Sequence, residues 1–168
     1  MIAAARGRKK VRVRPILLAA LAALSFPATA FAAEAEGEWL VANHKARIRI
    51  VDCAQRLWGI VSWEFDPAID TENPDPAKRA RPRLGMPILL GMKPDGPGSW
   101  AGSIYNAGNG KTYSGGISLL APDVLRVRGC VLGFLCGGEN WSRVPLLNAS
   151  EERLAPDAAS CSRLDPAP

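Results

Sequence analysis

Short stretches in which apolar and polar residues alternate run through the middle of the chain. In Ala46–Val51 two arginines alternate with isoleucines, and in Val124–Arg128 two arginines alternate with Leu125 and Val127. A two-residue period places the two sets on opposite faces of a strand, so we expect the aliphatic side chains to face a core and the arginines to face water. Six further segments are strand candidates: Trp39–Ala42, Leu57–Phe65, Pro87–Met92, Ser99–Tyr105, Thr112–Leu120 and Asn140–Val144.

Turns rich in glycine or polar residues separate these segments, and none of them has a sustained helical period. The pattern predicts an all-β domain of about eight strands, a meander that closes into a barrel or a sandwich. One long connection, residues 66–85, interrupts it and contains four prolines. Connections of this length inside compact domains are often functional or mobile.

The N-terminus has the three parts of a secretory signal peptide in their usual order. A basic stretch up to Arg14 precedes an apolar run of 11 residues, 16–26, and small residues follow Pro27 up to Ala33. The apolar run is shorter than the roughly 20 residues of a membrane-spanning helix. We therefore predict a signal peptide over 1–33, a β-barrel domain over 34–145 and a disordered tail over 146–168, with a periplasmic or secreted mature protein that has no integral membrane segment.

The positive net charge of the whole chain does not describe the mature protein. The chain has 21 basic and 16 acidic residues, and six of the basic ones lie in the predicted signal peptide. The mature part is left with 15 basic and 16 acidic residues, a formal net charge of −1. No basic face for nucleic acid is therefore expected, because binding to phosphates requires one.

All four cysteines lie in the mature part, at positions 53, 130, 136 and 161. An exported chain meets oxidising conditions, so disulfides are expected, although four cysteines allow three full pairings. We predict that Cys130 and Cys136 pair across a tight turn, with Cys53 either unpaired or joined to Cys161. A metal site is not expected, because no C-x-x-C pair occurs and His44 is the only histidine.

Both ends of the predicted domain contain an aromatic or basic residue suited to closing a barrel. Gly37-Glu38-Trp39 stands near the start, and Trp141-Ser142-Arg143 lies on the last predicted strand. This pair of motifs resembles the lipocalin and fatty-acid-binding superfamily of antiparallel up-and-down β-barrels. The resemblance implies that Gly37 admits a close backbone approach and that the Arg143 guanidinium packs over the Trp39 indole at one end of the barrel.

A longer series of motifs covers nearly the whole domain. It comprises Gly37-x-Trp39, Cys53…Leu57-x-Gly59, Asp70-x-x-Asn73-Pro74-Asp75, Arg79-x-Arg81-Pro82-x-x-Gly85, Trp100-x-Gly102-x-Ile104-Tyr105, Gly110-Lys111-Thr112-Tyr113, Val127-x-Gly129-Cys130 and Trp141-x-Arg143. The series resembles the exported bacterial family known as domain of unknown function 2147, whose members are lipocalin-like. Trp58 stands where many members have a second cysteine, and Arg83 stands where leucine is usual.

Several side chains are candidates for a ligand site. Trp58, Trp63, Trp100 and Tyr113 either line a pocket or fill the core. In the long connection, Arg79 and Arg81 either receive an anionic ligand or bond the acidic and carbonyl groups of their own loop. The second alternative makes this loop a structural clamp.

No arrangement of residues points to catalysis. The single histidine has no Gly-x-Ser-x-Gly beside it, and no carboxylates are paired in a convincing context. We expect a protein that is not an enzyme, has no cofactor and binds a small apolar or amphipathic ligand. The alternative is a structural or protein-interaction module of the cell envelope with a solid barrel core; the sequence implies no oligomeric state.

Overall fold

The computed structural model describes residues 34–145 together with Cys161 and Leu164. The predicted signal peptide, 1–33, and most of the predicted tail, 146–168, lie outside the described residues. The described chain forms eight strands: β1 Gly37–Leu40, β2 Ala46–Asp52, β3 Leu57–Glu64, β4 Pro87–Pro94, β5 Ser99–Asn106, β6 Lys111–Ala121, β7 Val124–Val131 and β8 Leu135–Val144.

These strands form one closed antiparallel barrel in which each strand pairs with its neighbours in sequence. The barrel closes because β1 also pairs with β8, with Trp39 opposite Arg143. The predicted all-β, up-and-down barrel of eight strands is therefore confirmed. The alternative of a sandwich is excluded, because no sheet edge remains between β1 and β8.

Two strands extend by three or more residues beyond the segments that the hydrophobic pattern predicts. β7 extends to Val131, and β8 begins at Leu135 rather than Asn140. The added residues of β8 include Gly137 and Gly138, which favour loops when considered locally. They are held in a strand because residues 135–144 pair continuously with β7.

Side chains pack on both faces of the barrel wall. The inner cluster fills part of the barrel interior and is centred on Trp39, Ile48, Leu89, Trp100 and Leu125. An outer cluster covers the other face of β2 to β5, with Val51, Trp58, Leu90, Tyr105 and Leu164 among its members. The C-terminal segment therefore contacts the barrel at Leu164, and also at Cys161, which is disulfide-bonded to Cys53. At these two positions the structure differs from the expected disordered tail.

The connection from β3 to β4 is ordered by its own contacts. Asp70 N donates to Arg81 O at 3.0 Å, and an isolated bridge joins Ile69 to Pro82, so the two arms of the connection run side by side. A short 3-10 helix, Pro76–Lys78, forms at its far end, where the side chain of Asp75 caps the helix by accepting from Ala77 N. The loop is thus a compact structure against one end of the barrel.

Candidate functional site

The two ends of the barrel differ because alternate connections lie at opposite ends of an up-and-down meander. One end has the β2–β3, β4–β5 and β6–β7 turns together with both termini of the domain. The other end has the β1–β2, β3–β4, β5–β6 and β7–β8 connections. We call the first the closed end, because Arg143 packs over Trp39 there, and the second the open end, because it contains a cavity.

Arg143 and Trp39 seal the closed end. The Arg143 guanidinium carbon lies 4.2 Å from the Trp39 ring centroid. Its Nη1 donates to Glu36 O at 2.7 Å, its Nε donates to Pro122 O at 2.6 Å, and its Nη2 donates to Glu34 O. The arginine thereby joins the start of the domain to the β6–β7 turn.

Gly37 has the close approach that the resemblance implies. Its φ is +120°, and a β-carbon added there would lie 3.0 Å from Arg143 Nη1. Trp39 itself is fully buried and donates from Nε1 to Ala35 O at 2.9 Å. The three residues thus form one contact that stacks a cation on an aromatic ring.

The open end contains a cavity of about 680 Å³. Residues in the connections of this end, or at the strand ends beside them, line it, for example Val41, Glu64, Asn106 and Leu135. A volume of this size lies within the range of sites that bind small molecules. The barrel interior is therefore filled by side chains towards the closed end and hollow towards the open end.

Glycines in β7 and β8 leave room for this cavity. Gly129 is paired with Gly137, and both line the cavity. A β-carbon added at Gly137 would meet nothing within 4 Å, and one at Gly129 would come no closer than 3.6 Å to Tyr113. Pairing extends the same row to Gly115 and Gly102, but a β-carbon there would lie 2.4 Å and 2.8 Å from backbone oxygens. Gly129 and Gly137 therefore leave space for the cavity, whereas Gly102 and Gly115 allow neighbouring strands to pack closely.

The part of the cavity wall that lies nearer the closed end is apolar, and the mouth of the cavity is polar. The apolar side chains are Ile48, Val61, Ile88, Ile104, Val127 and Trp141. At the mouth, Glu139 Oε1 accepts from Trp141 Nε1 at 2.6 Å, and Tyr113 Oη accepts from Asn109 Nδ2 at 2.9 Å. The site thus combines an apolar floor with polar groups that could orient a ligand.

Two charged residues at the mouth differ in how well their polar groups are satisfied. Arg83 donates from Nε to Ile69 O at 3.1 Å and from Nη2 to Ala107 O at 3.3 Å. By contrast, Glu64 Oε2 is shielded from solvent, and no group among the described residues donates to it. A buried carboxylate oxygen without a donor is costly, and the residue that carries it lines the cavity.

Of the four aromatic candidates, Tyr113 lines the cavity and the three tryptophans do not. Trp100 packs in the inner cluster below the cavity, and Trp58 packs in the outer cluster. Trp63 faces outward, where the guanidinium carbon of Arg47 lies 5.3 Å from its ring centroid. Strand parity turns Trp58 and Trp63 to the outer face of the wall, whereas Trp100 faces the interior but lies at the start of β5, near the closed end.

Arg79 and Arg81 also lie outside the cavity lining. Arg79 Nε donates to Asn73 O at 2.8 Å, and Arg81 Nε donates to Asp70 Oδ2 at 3.0 Å. Tyr105 Oη donates to Asp70 Oδ1 at 2.7 Å, and Asn73 Nδ2 donates to Asp70 Oδ2 at 2.7 Å. The structure places both arginines in the contacts of a clamp, which attaches the long connection to β5.

The clamp keeps a buried carboxylate ionised. Burial alone raises the pKa of Asp70, but the hydrogen bonds from Asn73, Tyr105 and Arg81 together bring that pKa below its usual 3.8. Burial, together with the hydrogen bond to Asp70 and the negative charge of Asp70, raises the pKa of Tyr105, although Asn73 and Arg81 act in the opposite direction. Both effects favour the observed pairing of a phenol with a carboxylate near neutral pH.

One disulfide joins two neighbouring strands, and the other joins a turn to the C-terminal segment. Cys130 and Cys136 are directly opposite each other in β7 and β8, and their sulfurs are bonded. Cys53, in the β2–β3 turn, is bonded to Cys161, one of the two alternatives left open by the sequence. These bonds are compatible with an exported protein.

Over residues 34–145, no helix is long and apolar enough to span a bilayer. In the same part of the chain, His, Cys, Asp and Glu side chains do not gather in threes as a metal ion would require.

Sequence reasoning did not single out Glu64 or Glu139, nor the glycines that open the cavity. Glu139 shares a two-residue period with Trp141 and Arg143, which was a usable signal for an inward-facing side chain. Glu64 follows a register shift between β2 and β3, and no local pattern marks that shift. Arg83 was noted only as a departure from the usual residue of a family.

The closed barrel and its open-ended cavity define a lipocalin-like protein. A similar solved structure is described as "Protein HP1028 from the human pathogen Helicobacter pylori belongs to the lipocalin family". The match has a TM-score of 0.65 and 17% sequence identity, and covers 77% of this chain and 97% of that one. At this identity the match shows the fold.

The family is established by sequence. The family described as "Uncharacterized protein conserved in bacteria (DUF2147)" matches residues 37–143, and the chain belongs to it. The resemblance seen in the motifs is thereby confirmed. No curated protein is significantly similar to the chain.

Proposed function

We propose that this protein is exported to the periplasm or the cell exterior and binds one small amphipathic molecule in its barrel. The cavity of about 680 Å³ at the open end is the observation that carries the proposal. Its apolar floor would take the apolar part of the ligand, and its polar mouth would take the rest. The protein would act by binding and not by catalysis.

The alternative role, a cell-envelope module with a solid barrel core, has less support. A barrel of eight strands can be filled by its own side chains. Here the half near the closed end is filled in this way, but Gly129 and Gly137 contribute no side chain to the half near the open end. The hollow half favours the binding role.

The polar part of the ligand is proposed to be a hydrogen-bond donor. Glu64 Oε2 is buried and has no donor among the described residues. Glu139 adds a second carboxylate at the mouth, while the Nε and Nη2 groups of Arg83 already donate to backbone carbonyls. An amine or a hydroxyl therefore suits the site better than a carboxylate.

A change at Gly137 tests the cavity directly. Gly137→Phe fills empty space without a backbone clash, because a β-carbon there meets nothing within 4 Å. The control is Ala101→Phe, which adds the same ring at an exposed position of β5. Binding is measured by the fluorescence of the neutral apolar probe N-phenyl-1-naphthylamine, and native mass spectrometry of protein from the periplasm looks for a co-purified molecule.

We expect the probe to bind the wild type and Ala101→Phe equally and to bind Gly137→Phe at least about tenfold more weakly, the effect of losing a few apolar contacts. Dodecylamine and dodecanol should displace the probe better than dodecanoate does. Absence of both probe binding and a co-purified molecule, or equal binding by the two variants, would overturn the proposal.

A further inference from the structure

The tip of the β7–β8 hairpin is apolar and exposed. It comprises Val131, Leu132, Phe134 and Leu135, and we call these four residues the apolar tip. Leu132 is 79% exposed and Phe134 is 71% exposed. Large apolar side chains that are grouped and exposed usually mark a surface that binds something.

The backbone of this turn is poorly suited to leucine. Leu132 has φ +54° and Gly133 has φ +79°, and Phe134 N donates to Val131 O at 3.4 Å. Two consecutive left-handed residues define the type I′ turn, for which Asn-Gly is preferred. A leucine is disfavoured in this conformation, so its presence indicates a use for the exposed side chain.

The apolar tip is also held rigidly. The disulfide between Cys130 and Cys136 joins the two strands one residue below the exposed positions Val131 and Leu135. The tip therefore cannot fold back on the barrel by fraying of the hairpin. It projects from the open end.

The neighbouring turns carry only positive charge. In the closed barrel β7 lies beside β6 and β8 lies beside β1, so the β5–β6 and β1–β2 turns flank the apolar tip. Residues 106–111 and 41–46 contain Lys111, His44 and Lys45 and no acidic residue. All three of these residues are exposed.

Apolar groups also lie on the far side of the cavity mouth. Phe65 is 72% exposed and Leu84 is 55% exposed, and both belong to the β3–β4 connection. In an eight-stranded barrel this connection lies opposite the β7–β8 hairpin. The exposed apolar residues are thus spread around an opening and do not form one continuous patch.

We infer that the protein docks with its open end on the surface of an anionic lipid bilayer. The apolar tip would enter the outer few ångströms of the bilayer, and Lys45 and Lys111 would meet the anionic headgroups. Apolar residues on two opposite sides of an opening fit a fluid surface, whereas protein interfaces are usually continuous and packed. This inference does not depend on the proposed ligand.

The test is co-sedimentation of the protein, recovered from the periplasm, with vesicles. One set of vesicles contains equal parts of phosphatidylglycerol and phosphatidylcholine, and the other contains phosphatidylcholine alone. The variant Leu132→Asn/Phe134→Ser removes the apolar tip, and asparagine suits the left-handed turn, so the fold should be kept. The control is Leu120→Ser, an equally apolar position that is 60% exposed near the closed end.

We expect the wild type and Leu120→Ser to bind the anionic vesicles alike, and the double variant to bind at least about tenfold more weakly, as the loss of two apolar side chains that would enter the bilayer implies. Lys45→Gln/Lys111→Gln should weaken binding to anionic vesicles only. N-phenyl-1-naphthylamine binding should be unchanged in every variant, which separates this inference from the cavity proposal.

Three outcomes would overturn the inference. One is a wild type that does not sediment with anionic vesicles. Another is equal binding by the double variant, with the fold checked by its thermal unfolding. The third is a dimer in solution that the double variant loses while neither protein binds vesicles, because the apolar tip would then contact a second copy of the chain.

Discussion

The Arg143 guanidinium carbon lies 4.2 Å from the centroid of the Trp39 ring, although the two residues come from the last and first strands of the domain. The contact exists because β1 and β8 pair directly and complete the barrel. It also joins the closure to the segment that precedes β1, since Arg143 donates to Glu36 O and Glu34 O.

Removal of this arginine should destabilise the barrel. Arg143→Ala loses the stacking on Trp39 and leaves carbonyls that it served without a donor, and we expect a loss of about 1–3 kcal/mol in the free energy of unfolding. Arg126→Ala is the control, because Arg126 makes a single side-chain contact of 3.2 Å with Asn140 at the surface. It should cost under about 0.5 kcal/mol in the same urea titration. Equal losses for the two variants would contradict the closure.

The β5–β6 turn should tolerate a change at one glycine and not at another. Gly110 has φ +66°, and a β-carbon there would lie 1.8 Å from Glu72 O in the long connection. Gly110→Ala should therefore cost more than about 1–2 kcal/mol, the penalty of the left-handed conformation alone. Gly108→Ala, in the same turn, meets only the side chain of Asn106 and should cost much less. Limited proteolysis of residues 66–85 should accelerate in the first variant only.

Stability should depend on pH through Asp70. Its folded-state pKa lies below 3.8 because hydrogen bonds outweigh burial, so its contribution is complete above the unfolded value of about 3.9 and is lost as pH falls through the folded pKa. Asp70→Asn should be less stable than the wild type by about 1–3 kcal/mol near neutral pH. The gap should narrow below about pH 4. A gap that stays constant down to about pH 2.5 would argue against an ionised Asp70 in the clamp.

The two disulfides should differ in their effect on stability. The bond between Cys53 and Cys161 spans 108 positions, and the bond between Cys130 and Cys136 spans six. Loop-closure entropy predicts about 4–5 kcal/mol for the long loop and about 2 kcal/mol for the short one. Cys53→Ser/Cys161→Ser should therefore lower the denaturant midpoint more than Cys130→Ser/Cys136→Ser. The reverse order would show that the C-terminal contact contributes little.

The alternation of residues was sufficient to predict most of the barrel wall. Segments such as Ala46–Val51 alternate strictly, and they occur as strands with bounds close to those expected. The start of β8 could not be predicted in this way, because Gly137 and Gly138 have no local preference for a strand. Their conformation depends on pairing with Arg128 and Gly129 of β7.

The functional site was much less predictable than the wall. Trp58 and Trp63 are aromatic and close in sequence to cavity residues, yet the register of β3 turns both away from the interior. Conversely, Glu64 lies in the cavity because a register shift between Arg47 and Ile48 changes the parity near the end of the strand. A one-residue shift has no visible mark in the sequence, but it exchanges the two faces.

Alternation and turn residues act over a few neighbouring positions, so the amino-acid sequence is enough to predict an antiparallel meander whose ends carry Trp39 and Arg143. Three features could be seen only in the folded chain: the barrel is hollow at one end, Asp70 and its arginines form a clamp, and apolar residues from separate connections lie on opposite sides of one opening. These features arise from residues distant in the chain, which the register of eight paired strands brings together.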